Sequence, residues 1–332
     1  MKRIVNSILL TLVVCSSLRA QGQQDSLSFK NRIGLVGEEN FFKTEGYYNW
    51  CPSLLKDEKG IFHLFYSRWK KVHTFLGWLT HSEIAHAAAK SPVGPWTVVG
   101  TVLTGRGKGY WDAITMHNPK IEYFNGKYYL YYISTNFADK DFTERDLVET
   151  ETGGYKHANW KILRSNQRTG VAVADNVNGP WERFDKPLIE PSGPIATITV
   201  NPGITKGKDG KFYLIVKGDK PNSSSFIRNQ AMAIADSPTG PFLIQPKPVI
   251  DYLDTEDMSL WYDKNRDHYY GVFHSTQNFI GLVSSRDGIN WFKAHDYMLM
   301  PKELKMKDGQ IRKFDKMERP FIYLEKGEPK TL

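Results

Sequence analysis

Cysteine is nearly missing from this chain. Of 332 residues only Cys15 and Cys51 are cysteines, and the first falls in a segment read below as removed on export. A single remaining thiol cannot form an internal disulfide, so a disulfide-stapled fold is excluded and the core must hold the chain together. Long apolar runs are equally scarce. Residues 1–20, MKRIVNSILLTLVVCSSLRA, have a basic start, about a dozen apolar residues and a small residue before Gln21. That pattern is a secretory signal peptide, too short for a spanning helix. Cleavage is expected after Ala20; Val14 makes a poor lead for lipoprotein anchoring at Cys15. No later stretch suits membrane insertion, so a periplasmic or secreted protein is expected, with residues 21–30 as a disordered lead-in. Clustered positive charge is missing too. The formal charge is +8, part of it lost with Lys2, Arg3 and Arg19. The rest is scattered, with no basic helix or arginine stripe, which argues against nucleic-acid binding.

What the chain does have is aromatic residues, 13% of the total, including 17 Tyr and 9 Trp. They suit strands or a site where sugar C–H faces stack on rings. It also has a repeat. Residues 117–134, HNPKIEYFNGKYYLYYIS, read as two strands around an Asn125-Gly126 turn, the strongest short-range hairpin signal. The same grammar appears in 52–66, 201–216 and 257–273. Each copy opens on a polar residue, usually before proline: Cys51-Pro52, Asn118-Pro119, Asn201-Pro202, Asp257-Met258 and Arg319-Pro320, spaced 56 to 83 residues apart. Three copies then carry a third strand ending in Gly-Pro-aromatic (84–96, 171–181, 232–242), and a fourth carries Asp287-Gly288 instead. Four-stranded units at such spacing are blades of a β-propeller. A β-sandwich would explain the strands but not the repeated endings. The reading is an all-β, five-bladed β-propeller over residues 31–332. Its fifth copy stops after one hairpin, and residues 31–48 are expected to complete that blade and close the ring. Residues 136–168 interrupt the second blade as a charged extension, with Arg145, Trp160 and Arg164 in reach of the mouth.

In a propeller the first residues of the innermost strands gather at one mouth. Here they include Trp50 and Cys51, His117 and Asn118, Asn201, Glu256 and Asp257, and Glu318 and Arg319. Asp112 and Trp111 lead into the second blade. Four carboxylates (Asp112, Glu256, Asp257, Glu318) in such a place suit acid–base chemistry. Trp50 and Trp111 suit a stacking floor, and His117, Asn118, Asn201 and Arg319 suit hydroxyl or carboxylate contacts. Arg68 and Lys217 end second strands and are further candidates for sugar or sulfate contacts. His81, Glu83 and His86 fall in or beside a third strand. Their spacing is not the helical zinc motif, so polar contacts beneath the mouth are expected rather than a metal.

The phrases HNPKIEYFNGKYYLYYI, AVADNVNGPW and ERPFIYLEKGEPKTL resemble five-bladed β-propeller glycoside hydrolases of families 43, 32 and 117 over about residues 45–332. The resemblance implies cleavage of a terminal sugar from an oligo- or polysaccharide by paired carboxylates at the starts of inner strands. It implies inversion if families 43 and 117 are the guide. No cofactor is required, and a structural calcium ion is compatible with it. One departure stands out: family 43 usually opens its first blade with Asp-Pro, where this chain has Cys51-Pro52. A thiol is a poor substitute for a carboxylate base. Asp112 or the Glu256-Asp257 pair must then supply the base. Otherwise the chain is a glycan-binding propeller without chemistry, or a phosphorolytic enzyme on the same fold.

Overall fold

The computed structural model describes residues 25–29 and 32–332; the expected signal peptide lies outside them. The chain folds into four successive four-stranded antiparallel sheets, arranged as propeller blades. The first contains β1 (Tyr47–Lys56), β2 (Phe62–Lys70), β3 (Glu83–Ala89) and β4 (Thr97–Leu103). The second contains β5 (His117–Phe124) and β6 (Lys127–Ser134), then two helices, α1 (Glu144–Gly153) and α2 (Ala158–Ser165), then β7 (Arg168–Ala174) and β8 (Glu182–Arg183). The third contains β9 (Ala196–Lys206), β10 (Phe212–Asp219), β11 (Arg228–Ala235) and β12 (Leu243–Pro248). The fourth contains β13 (Thr255–Asp263), β14 (His268–Ser275), β15 (Phe279–Ser285) and β16 (Phe292–Pro301). Within each sheet the strands follow chain order, as a meander of hairpins must. The first strands β1, β5, β9 and β13 are neighbours in space.

The turns behave as their residues require. Asn125 and Gly126 both take positive φ, 52° and 83°, the signature of the tight turn whose twist matches its flanking strands. All three Gly-Pro-aromatic endings carry a cis Gly-Pro bond, at 94–95, 179–180 and 240–241. Apolar side chains of adjoining sheets interleave: Tyr131 and Val171 of the second pack with Leu214, Val216 and Ala233 of the third. Ile215 and Met232 of the third pack with Leu260 and Phe273 of the fourth.

Beyond β16 the pattern departs from expectation. Among the described residues there is no fifth four-stranded sheet but two short hairpins, β17 (Glu303–Lys305) with β18 (Ile311–Lys313), and β19 (Tyr323–Glu325) with β20 (Glu328–Thr331). Residues 32–46 contribute no regular strand. Val36 makes an isolated parallel bridge to Met306, and Glu38–Asn40 forms a 3-10 turn. The segment has charges where an alternating strand would need apolar residues, which explains the short pairing. Residues 25–29 lie against the fourth blade. Leu27 and Phe29 join Tyr270, Ile280 and Leu282, while Asp25 accepts from Ser284 Oγ and the His295 amide.

The interruption of the second blade is helical. Thr143 caps α1 through reciprocal bonds with Asp146, a capping box. Leu147, Trp160 and Leu163 turn inward against Leu79 and Phe137.

Candidate active site

The five repeat openings share one backbone feature. Cys51, Asn118, Asn201, Asp257 and Arg319 all adopt left-handed conformation, with φ between 50° and 64°. In the four regular blades the register of the first strand shifts at this point: between Trp50 and Ser53, His117 and Lys120, and Glu256 and Ser259, and opposite Ile215 and Lys217. Each is a β-bulge, which frees a residue from the ladder and re-aims its side chain. Proline suits the next position because it has no N–H to leave unpaired. Neighbouring sheets cover bonds the bulges disturb: Ser67 Oγ accepts from the Asn118 amide, and Gln230 Oε1 from that of Met258.

The re-aimed side chains meet in sequence order. Asn118 Nδ2 donates to Asn201 Oδ1 at 2.5 Å, and Asn201 Nδ2 donates to Asp257 Oδ1. Arg319 Nη1 approaches that same Oδ1 at 3.8 Å and also faces Cys51. Asp257 takes a further hydrogen bond from His274 Nδ1 at 3.2 Å. Burial by itself would raise the Asp257 carboxyl. The His274 bond and the charges of Arg319, His274 and Lys217 outweigh it and hold the group well below the usual carboxylate range. Asp257 is therefore a fixed anion and does not donate a proton at neutral pH.

Glu256 turns to a different set of partners. Lys217 Nζ and Arg228 Nη1 each bind one of its oxygens, and His274 Nε2 lies 3.7 Å away. Arg228 is in turn held by both oxygens of Asp254. Glu318 has the loosest hold: its side chain is 27% exposed and its ion-pair partner is Lys316, at 3.6 Å. It acts electrostatically on Cys51 and Lys302. Lys302, tied to the Ser275 carbonyl at 2.8 Å, is pushed down by burial against the pull of Glu318, Glu256 and Asp257. Burial pushes the Cys51 thiol well up despite Arg319, so it stays protonated and is neither base nor nucleophile.

His117 is buried between Trp69 and Trp78, with ring centroids 5.8 and 5.6 Å away. Burial and the Arg319 charge push it down to about 3, so it is a neutral hydrogen-bonding group here. Trp50 and Phe75 meet edge to face at 5.4 Å, and Trp78 meets Trp160 at 5.7 Å. The first-blade side of the mouth is thus an aromatic arc. Three buried atoms on the axis lack a hydrogen-bond partner: His117 Nδ1, Asn118 Oδ1 and Arg319 Nη1. Calcium takes six to eight oxygen ligands. One free amide oxygen does not make such a set, and Arg319 supplies the positive charge facing Asp257.

Of the residues singled out in the sequence, the structure brings Cys51, His117, Asn118, Asn201, Lys217, Glu256, Asp257, Glu318 and Arg319 together, with Trp50 beside them. It places three others elsewhere. Asp112 is fully buried between Arg106 Nε (2.6 Å), Tyr132 (3.0 Å) and Arg183 (3.5 Å), reaching the outer strand β8 rather than the mouth. Trp111 stacks on Tyr132 and donates to the Phe184 carbonyl. Arg68 binds Glu83 and Thr101. His81, Glu83 and His86 also part: His81 faces α1, Glu83 holds Arg68, and His86 stacks on Phe65 and meets His63. Arg145 pairs with Glu149 and Arg164 with Asp219. The residues missed were His274, Arg228, Asp254 and Lys302. His274 was within reach, since it stands opposite Glu256 as Lys217 stands opposite Val200.

Comparison with known proteins agrees with this architecture. Residues 96–240 match the model of glycosyl hydrolases family 43. A family 117 glycoside hydrolase of the marine bacterium Zobellia galactanivorans superposes with a TM-score of 0.61 at 20% identity, covering 83% of this chain and 77% of its own. An endo-arabinase from Bacteroides thetaiotaomicron gives 0.53 at 13% identity, covering 89% and 99%. An exo-β-1,3-galactanase from Phanerochaete chrysosporium gives 0.51 at 14%, covering 74% and 49%. No curated protein matches the chain. At such identities the likeness speaks for the fold. Together with the family match it supports a place in the superfamily of β-propeller glycoside hydrolases, the resemblance drawn from the repeat phrases.

Proposed function

We propose that the protein is an exported glycoside hydrolase that removes a terminal sugar from an oligo- or polysaccharide. The observation that carries the proposal is the convergence of Glu256, Asp257 and Glu318 on one mouth beside an aromatic arc. Glu256, gripped by Lys217 and Arg228, takes the proton from water. Glu318, the least paired and most exposed of the three acids, protonates the leaving oxygen. Asp257 is a fixed negative charge facing positive charge that develops on the sugar ring. Families 43 and 117 suggest inversion, which asks for about 6.5–9.5 Å between acid and base so that a water fits.

The test is release of reducing ends from plant and algal oligosaccharides, with the product anomer followed by NMR. Glu318→Gln and Glu256→Gln should each lower kcat by about 10²–10⁴-fold with unchanged circular dichroism. Full activity in both variants would sink the assignment. Cys51 favours one alternative, a propeller that binds glycans without cleaving them, because its thiol cannot replace the base. Saturable binding with no new reducing ends would establish that reading, and Cys51→Asp would then be the variant to gain turnover. Phosphorolysis has less behind it, since Lys217 and Arg228 are already held by carboxylates.

The proposal extends to the whole chain. The two terminal hairpins and the segment bridged at Val36 occupy the place of a fifth blade. Residues 1–20 are a leader cleaved after Ala20, which sequencing of the exported protein's N-terminus checks.

A further inference from the structure

His81 points away from the mouth into a second cluster. His73 follows β2, His81 follows the 3-10 turn Phe75–Leu79, and Glu151 lies on α1 with its side chain 4% exposed. Each offers one ligand atom, and all three lie within 4.8 Å of one another. His73 Nδ1 is 3.3 Å from Glu151 Oε1, and His81 Nδ1 is 2.9 Å from Glu151 Oε2. The two imidazoles are stacked, centroids 3.6 Å apart. The two imidazoles thus meet different oxygens of the one carboxylate; tetrahedral zinc with bonds of about 2.0–2.1 Å keeps its ligand atoms about 3.3 Å apart, within the 4.8 Å that spans this group.

The surroundings are those of a metal centre rather than of a lone triad. A zinc-bound histidine usually gives its other N–H to a carboxylate, and the carboxylate ligand is itself hydrogen-bonded. His81 Nε2 meets Glu144 Oε1 at 2.9 Å. Glu151 accepts from Thr80 Oγ1 at 3.2 Å and from the Thr74 amide at 3.4 Å. We propose that His73, His81 and Glu151 bind a zinc-class divalent ion that fastens the helical insertion of the second blade to the first. Because the rings stack at 14° to each other, one of them must turn on binding to bring both Nδ1 atoms onto the ion, and water completes its shell. Trp78 lies on the same short turn and touches both His117 and Trp160, so the ion steadies the aromatic arc. The inference does not depend on hydrolysis.

The test uses the full mature protein without an affinity tag, stripped with EDTA. Calorimetric titration with Zn²⁺ should give one ion per chain. Glu151→Gln should abolish uptake, and Glu144→Ala, which leaves all three ligands in place, should weaken it about tenfold or more. Loading with Co²⁺ should give the visible bands of a four- or five-coordinate site, a readout that stands even if Glu151→Gln misfolds. No saturable uptake, uptake unchanged in both variants, or a purely octahedral Co²⁺ spectrum would each overturn the proposal and leave a hydrogen-bonded staple.

Discussion

Glu256 and Asp257 are adjacent in sequence yet do different work, because the bulge between β13 and β14 separates their surroundings. Glu256 meets two flexible or forked cations, whereas Asp257 is locked by His274, Asn201 and Arg319. Asp112 shows the opposite case of an acid whose sequence setting misleads. It precedes His117 by five residues, but Arg106 and Arg183 take up its charge within the blade. Asp112→Asn leaves two arginines short of a partner, and breaking a buried pair costs about 3–5 kcal/mol. The expected outcome is a lower urea midpoint with kcat per folded molecule unchanged; a loss of turnover without a loss of stability would return Asp112 to the reaction. The candidates read from the repeat (Cys51, Asn118, Asn201, Asp257, Arg319) came together because one backbone rule places all five. Asp112 and Trp111 did not, because nearness in sequence was their warrant; Arg68, chosen like Lys217 for ending a second strand, turns instead to Glu83.

Among the elements, the first four repeats were legible through their turns and endings, and three of the four bulges coincide with residue pairs, polar then proline (the fourth, Asp257-Met258, lacks the proline). The helices were not, because residues 136–168 are charged enough to resemble a solvated extension. A readable signal was there in Thr143-x-x-Asp146, the capping box of α1, and in Trp160 and Leu163 three residues apart on one helical face. These helices back Trp78 from behind, and Trp50 with Phe75 continues the arc along the first blade. Sugar stacking on such a wall is made in ground state and transition state alike, so its loss weakens binding more than chemistry. Trp50→Ala should raise KM about tenfold or more, with kcat altered much less. Equal losses in kcat and kcat/KM would mean that the arc acts on the transition state instead.

At the scale of the whole molecule, two buried histidines set the acid limit. Burial pushes His86 down to about 4, helped by neighbouring His63, and pushes His117 down to about 3, helped by Arg319. An unfolded chain protonates both near their ordinary value of 6.5, so between pH 6.5 and about 4 it binds two protons that the folded protein refuses. Stability therefore falls with acid at up to about 2.7 kcal/mol per pH unit from the pair. Below that window the depressed Asp257 carboxyl adds a loss of the same sign. Urea unfolding at pH 7 and pH 5 should differ by about 3–4 kcal/mol, and His117→Gln should remove about half of the difference; a flat profile would mean that the rings are not held neutral. The packing of the last hairpin can be tested on the same footing. Phe321 and Tyr323 pack with Leu54, Phe62 and Tyr66 of the first blade, while Ile322 and Leu324 pack with Tyr270 and Ile280 of the fourth. Alternate side chains of one short segment thus bind the first blade and the fourth. Burying Ile322 and Tyr323, with Phe321 and Leu324 half-buried, stabilises by roughly 4–9 kcal/mol, on the order of a domain's entire margin. Truncation after Pro320 should therefore leave a chain that exposes its blade edges and aggregates, whereas replacing the outward pair Lys326 and Lys330 with Ala should change the melting temperature little. A soluble, cooperatively folding truncate would show that the four regular blades stand without the terminal hairpin.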